Sequence, residues 1–431
     1  MYKNMDKFEN LLKINGKKIV TTPHPHEVWP PKAGVKELKE IAEQRNKDIG
    51  IKGKSGPIKE FEELFSGFLN SETKYQITFN SGTSALFAAY FSLGLKEGDE
   101  VIGPALTYHA ALSPIFTLKA NVVLVDVDIN TRCIDPDLIE KSITKKTKAI
   151  TVVHQWGHPA NMDKIMAIAK KHNLKVVEDC SHAHGSKYKG KLCGTFGDVA
   201  VFSLQTNKAI FAGEGGILVT NDENIHSRAT LFGHYRDRSR EEISDSEYQK
   251  YWVTGFGLKL RMSPFNAIVA KYSLKNFPKV IKERHKCLNY LNDRLSEVPF
   301  LQKVPIASYA YMGAWYGLKP VYKKEVLDNF SLEKLITILQ KEGLEVSIPS
   351  GPTLSTQPLY NEIKGSMFPD LRKKGNKPES TPVAIFLQNN SISFPIFSDF
   401  KRDKKIIDQY ISVLKRIYEL KEYLKQNAAH Q

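Results

Sequence analysis

Cysteine is scarce in this chain: four residues in 431, at positions 133, 180, 193 and 287. None forms a C-x-x-C pair or a finger spacing, so a disulfide scaffold and a structural zinc site are not indicated. Free thiols in a reducing cytoplasm are the expectation. No apolar run approaches the roughly 20 residues that a membrane helix needs, and the opening MYKNMDKFENLLKINGKK lacks the apolar stretch of a signal peptide. Membrane insertion is therefore not expected. Internal repeats are also missing. Acid is in deficit, 47 residues against 62 lysines and arginines, for a formal charge of +15. Such a charge can serve a polyanionic partner. Here the lysines are spread over 36–60, 141–191 and 271–286, with neither a basic-aromatic repeat nor a helix-turn-helix segment. They read as a solvated surface rather than a nucleic-acid interface.

What is present is an alternation. Strand-like runs (YQITFN, DEVIGPA, NVVLVDVD, TKAITVVHQ, KVVEDCS) are separated by stretches of helical spacing. That pattern predicts βαβ units and a mostly parallel sheet flanked by helices, an α/β fold. DVAVFSLQ and GGILVTND then read as two strands near a turn, and 264–295 as a long helix. A smaller α+β portion follows and closes with a helix over 403–425. The division expected is an extended N-terminal arm over 1–55, a large domain over 56–275 and a small C-terminal domain over 276–431. The segment 350–382, with eight prolines and glycines, reads as an exposed loop.

Three stretches of the large domain carry chemistry. In NSGTSALFAAYFSLG, residues 80–84 leave a strand and open a helix of small residues. Free N–H groups and the helix dipole there favour an anion, typically phosphate, although Ser-Gly-Thr is also an ordinary helix cap. In VVEDCSHAHG an acidic pair ends an apolar strand, where open α/β sheets bind ligands. A salt-bridged turn is the plain alternative. A metal held by Asp179, His182 and His184 fits no standard spacing. In VFSLQTNKAIFAGEGGILVTND a single lysine, Lys208, stands in an otherwise uncharged stretch, with no acid nearer than Glu214. Desolvation lowers a lysine's pKa and frees the amine as a nucleophile. A phosphate cradle, an acid after a strand and a lysine about thirty residues later are the three anchors of pyridoxal phosphate.

With these blocks in order, the chain resembles the pyridoxal-phosphate aminotransferases of sugar and cyclitol biosynthesis, the DegT/DnrJ/StrS group of aspartate-aminotransferase fold type I. The likeness runs from about residue 35 to 420 through NSGTSAL, GLKEGDEVIGPALTYHA, VDVDINTRCIDP, HQWGHPANMDKIMAIAKKH, EDCSHAHGSKYKGKLCGTFGDVAVFSL, GEGGILVTND and GLKLRMSP. It implies Lys208 as the catalytic Schiff-base lysine and proton shuttle, and Asp179 as partner of the pyridine nitrogen. It places Gly82, Thr83, Ser84 and Ser203 around the phosphate, and Tyr108 against the cofactor ring. His182 stands where most members carry glutamine, near the ring hydroxyl. Lys259 stands where many carry an asparagine that reaches the phosphate of the neighbouring subunit's cofactor, which implies a homodimer with shared active sites. SLQTNK replaces the usual SFxxxK with the spacing kept.

The implied activity is transfer of an amino group from L-glutamate or L-glutamine to a nucleotide-linked keto-sugar through a pyridoxamine phosphate intermediate. A keto-cyclitol is the alternative acceptor. Related sugar dehydratases carry histidine in place of the lysine, so Lys208 argues against that chemistry. Retention of all three anchors argues against a non-catalytic regulator on the same fold. Acceptor specificity is expected in the segments least like the family, 236–254, 311–317 and 350–382.

Overall fold

The fold is that of a computed structural model, which describes residues 12, 17–24, 29–47, 49–50, 53–361 and 376–423. Strands β1 (Tyr75–Phe79), β2 (Glu100–Pro104), β3 (Asn121–Val125), β4 (Thr147–Val153), β5 (Lys175–Asp179), β8 (Val199–Ser203) and β9 (Gly216–Thr220) form one seven-stranded sheet in the order β1-β9-β8-β5-β4-β2-β3. The run from β8 to β3 is parallel, and β9 lies antiparallel to both its neighbours. These strands are nearly continuous apolar runs because both faces are covered by helices. The expected α/β class is therefore observed. Two-residue strands β6 (Lys187–Tyr188) and β7 (Lys191–Leu192) form a separate small sheet with a third, β10 (Ala310–Tyr311).

Helices α1 (Val35–Asn46) and α2 (Gly56–Phe68) lie ahead of β1. After it comes α3 (Gly82–Ser92), GTSALFAAYFS, which carries no charged residue and packs against β8, β9 and α5 (Glu223–Gly233), with α4 (Met162–His172) between them in sequence. A helix that is apolar nearly all round has to be buried on most of its circumference. The long α6 (Pro264–Arg294) links two cores. Its first half packs with Phe61, Phe65 and Phe202, and its second half places Cys287, Leu288 and Leu291 in the C-terminal cluster. That cluster is built with α7 (Leu332–Lys341) and α9 (Phe400–Glu419), while α8 (Pro382–Asn390) packs into the core of the large sheet. All four cysteines are buried and unbridged, as expected. Among the described residues no helix is long and apolar enough to cross a membrane.

Two expectations need correction. The arm over 1–55 is not extended throughout, since α1 occupies twelve of its residues. No residue of α1 is buried; it is tied down from outside, Lys271 bonding Glu40 and Glu60 while the Tyr272 hydroxyl donates to Glu40 at 3.1 Å. Nor are the described parts of 350–382 an exposed loop. Leu354, Tyr360 and Thr381 are buried, the Leu354 N–H donates to Ala105 O at 2.9 Å, and the Tyr360 hydroxyl donates to His109 O at 2.9 Å.

Candidate active site

A cavity of about 820 Å³ opens at the carboxyl ends of β4, β5 and β8, beside the N-terminus of α3. Crevices of this kind are where open α/β sheets bind ligands. The large domain contributes Ser81–Thr83, 106–111, Gln155, Trp156, Asp179, Ser181, His182, Ser203 and Lys208, and the C-terminal portion closes the far side with Tyr316, Lys319 and 349–352.

The start of α3 is built for close approach. Ser81 caps the helix, its Oγ accepting the Ser84 N–H at 3.0 Å, and no acid occupies the first turn. The N–H groups of Gly82 and Thr83 have no acceptor among the described residues. Unsatisfied N–H groups at a helix start make an anion site. A Cβ on residue 82 would stand 2.8 Å from the Ser203 Cβ, so only glycine lets the turn rest against β8. Ser84 itself belongs to the cap and not to the cavity wall.

The acidic pair divides by strand alternation, since neighbours on a strand face opposite sides. Glu178 points inward. It accepts His154 Nε2 at 3.0 Å and the N–H groups of Gly194, Phe196 and Gly197 at 2.7–2.8 Å. Burial alone would raise its pKa, but His154 and those N–H groups hold it below the ordinary carboxylate value. Asp179 points into the cavity, and Oδ1 accepts the Ser181 N–H at 2.9 Å. Burial pushes its pKa up, against the pull of Ser181 and Lys208. A cationic N–H placed beside Asp179 would hold it ionised. Among the described residues the one grouping of possible metal ligands is His154, Glu178 and Cys180. Both ring nitrogens of His154 are engaged there, Nδ1 by the Ala160 N–H at 3.1 Å, so that cluster reads as structure.

Lys208 is buried, and its Nζ lies 4.1 Å from the centroid of the Tyr316 ring. Its loop is braced from the arm: Trp29 Nε1 donates to Thr206 O at 3.0 Å and meets the Phe211 ring edge-on. His182 stacks on Tyr316 with ring centroids 4.1 Å apart. Burial drives the His182 pKa well below its ordinary value, and Lys208 and Lys319 lower it further. Its Nδ1 faces the Trp156 N–H at 3.5 Å, which leaves Nε2 to carry the proton of the neutral ring and donate. Trp156 has a left-handed backbone, φ 53° and ψ 20°, unusual for a bulky residue and characteristic of functional sites. Gly313, at φ 53°, lets the Tyr316 loop come down: a Cβ there would meet the Ser186 nitrogen at 2.4 Å.

Of the residues singled out in the sequence, Gly82, Thr83, Tyr108, Asp179, His182, Ser203 and Lys208 line this one cavity. Lys259 does not. It is exposed and lies with Arg238, Arg261 and His234 around a separate cavity of about 350 Å³. Sequence reading passed over Trp156 and Lys319, which no local pattern marks. These groups fit pyridoxal phosphate: an open N–H cradle for the phosphate, a buried carboxylate for the ring nitrogen, and a buried lysine amine in the same cavity.

The comparisons agree with this geometry. The model of the DegT/DnrJ/EryC1/StrS aminotransferase family matches residues 31–409. The chain is 32% identical over 380 residues to GDP-perosamine synthase of Escherichia coli O157:H7, covering 88% of this chain and 95% of that protein. It is 35% identical over 280 residues to L-glutamine:scyllo-inosose aminotransferase of Streptomyces griseus, covering 63% of this chain and 65% of that one. Among solved structures, the aminotransferase of Psychrobacter cryohalolentis superposes with a TM-score of 0.79 at 27% identity, over 92% of this chain and 99% of the other. The protein belongs to the DegT/DnrJ/EryC1/StrS aminotransferase family.

Proposed function

We propose that this aminotransferase takes nitrogen from L-glutamate or L-glutamine and delivers it to the ketone of a nucleotide-linked keto-sugar, using pyridoxal phosphate. The observation that carries the reading is the convergence of Gly82, Asp179 and Lys208 on one cavity. When bound, the cofactor accepts the electron pair released at the donor's α-carbon and carries the amino group between substrates. The protein's share is binding and proton transfer. Gly82 and Thr83 N–H groups, with Ser203, hold the phosphate. Asp179 keeps the pyridine nitrogen protonated through a charge-assisted bond. His182 Nε2–H donates toward the ring hydroxyl, and Tyr108 covers a ring face. Lys208 Nζ holds the cofactor covalently at rest and then moves the α-proton.

The identity to GDP-perosamine synthase along nearly that protein's whole length supports a nucleotide-linked acceptor. The inosose aminotransferase supports a keto-cyclitol as second reading. The protein should purify yellow and be bleached by L-glutamate or L-glutamine. A panel of nucleotide keto-sugars and keto-cyclitols should then restore the colour with one class. Lys208→Ala should still bind cofactor through its phosphate, with turnover lower by at least roughly 10²- to 10⁴-fold, as for loss of a positioned acid–base group. Near-normal transamination by that variant would remove Lys208 from the chemistry.

A further inference from the structure

The cavity holds more positive charge than the cofactor accounts for. Lys319 reaches its wall from the C-terminal portion, where Nζ donates to Ser393 Oγ at 3.0 Å and lies 5.0 Å from the centroid of the Trp156 indole. The buried Arg132 guanidinium lies over the same indole at 5.7 Å, and its Nε has no hydrogen-bond partner. Among the described residues no carboxylate pairs with either cation. Of the other buried cations, Arg238 is answered by Glu62 and Glu242 and Lys271 by Glu40 and Glu60, whereas Arg284, which does not line this cavity, lies over the Trp29 ring at 4.2 Å. Desolvation, with Arg132 adding to it, lowers the Lys319 pKa to about 8. A buried charge without a partner is costly and is retained where something else supplies the counter-charge.

Position narrows what that something is. Lys208, Lys319 and His182 line the same cavity, and His182 stacks on the Tyr316 ring. Tyr316 and Gly317 join them: Lys208 lies over the Tyr316 ring, and a Cβ on residue 317 would stand 3.1 Å from Lys319 Cε. Through Tyr316 and Gly317 an anion at Lys319 would stand on the same wall of the cavity as Lys208. The α-carboxylate of an amino acid is one carbon from its reacting nitrogen. The diphosphate of a nucleotide sugar stands across a sugar ring from its ketone.

Resting on the aminotransferase reading, we infer that Lys319, backed by Arg132 and Trp156, is the subsite for the α-carboxylate of the amino donor. Lys319 acts as a specificity-determining residue of the first half-reaction, and the bond it makes is a charge-assisted hydrogen bond. Losing such a bond should weaken the donor roughly 10- to 150-fold.

The test uses the holoenzyme and the variants Lys319→Met and Lys319→Arg, with the cofactor's absorbance as the clock. Lys319→Met should raise the apparent Kd for L-glutamate and L-glutamine by that factor, and Lys319→Arg should recover most of it. Calorimetric binding of glutarate, which has carboxylates but no amine, should fall in parallel. Reaction with 4-aminobutyrate, which lacks an α-carboxylate, and binding of inorganic pyrophosphate should change little. Unchanged donor and glutarate affinity in Lys319→Met overturns the subsite. So does a selective loss of pyrophosphate binding, which would give Lys319 to a phosphate. If Lys319→Met does not hold cofactor, Lys319→Gln serves in its place. A wild-type protein that takes nitrogen from no amino acid would defeat the aminotransferase reading, while glutarate binding would still report on Lys319.

Discussion

Two adjacent carboxylates of β5 show how far one residue's direction decides its work. Glu178 has four donors and no view of the cavity, while Asp179 has the Ser181 N–H and faces the space where a ring nitrogen would sit. Their amide variants should therefore fail differently. Asp179→Asn should fold normally, lose cofactor affinity by roughly 10- to 150-fold as a charged hydrogen bond is weakened, and slow α-proton removal. Glu178→Gln turns an NH₂ toward N–H donors in a buried site. It should lower stability by about 1–3 kcal/mol, the cost of a buried unsatisfied group. Cofactor titration and urea unfolding of both variants separate the two effects. If Glu178→Gln abolishes cofactor binding and Asp179→Asn leaves it intact, the two roles are exchanged.

At the scale of elements, what the sequence disclosed was what is local. The strands, α3 and α6 could be read because apolar runs and helical spacing are short-range signals, and the Ser81 cap with its glycine lies in five consecutive residues. Lys208 stood out as a lone charge in an uncharged stretch, and Asp179 as half of an acidic pair that ends an apolar strand. Long-range partners were invisible. The helix α1 buries none of its own residues and is held by Lys271 and Tyr272, more than two hundred residues away. The Pro- and Gly-rich 350–382 looked like a solvent loop, yet Asn376 covers the free edge of the sheet at β3. Its Oδ1 accepts the Leu124 N–H at 2.8 Å and its Nδ2 donates to Val122 O at 3.1 Å. Pairing or covering an edge strand in this way is a general need of open sheets, and it requires one amide side chain rather than a periodic pattern. Trp156 and Lys319 escaped notice for the same reason. One owes its place to a left-handed backbone and the other to the docking of the C-terminal portion.

At the scale of the whole molecule, buried histidines set the response to acid. Burial holds His158 at a pKa of about 4 and His184 at about 3, and puts His234 well below its ordinary value. His158 is fixed as neutral, its Nδ1 facing Pro159 O at 2.8 Å while Nε2 accepts the Ala307 N–H at 3.2 Å. From pH 6.5 downward the unfolded chain takes up protons that the native protein refuses, so stability falls as pH falls towards 4. Each ring contributes up to roughly 1.4 kcal/mol per pH unit. The urea midpoint should be nearly flat above pH 7 and drop between pH 6.5 and 4; a flat midpoint down to pH 5 contradicts this. Assembly is the other property of the whole. Lys259 lines a separate basic cavity rather than that of Lys208, and Tyr251, Val253, Phe256 and Leu258, shortly before it in sequence, have exposed apolar side chains. Exposed apolar segments of this kind mark association surfaces. In a two-fold dimer the same patch is presented by both subunits, so we propose that Lys259 reaches the cofactor phosphate of the partner. Lys259→Ala alone should weaken cofactor binding by roughly 10- to 150-fold. Mixing Lys208→Ala with Lys259→Ala chains and letting subunits exchange is the sharper experiment. Each heterodimer would hold one doubly defective site and one intact site. At limiting cofactor a one-to-one mixture should then regain roughly a quarter of wild-type activity, because half the dimers are mixed and each carries one working site of two. If Lys259 serves its own chain, no combination of the two variants contains an intact site. Verified exchange without recovery of activity would therefore exclude the shared arrangement.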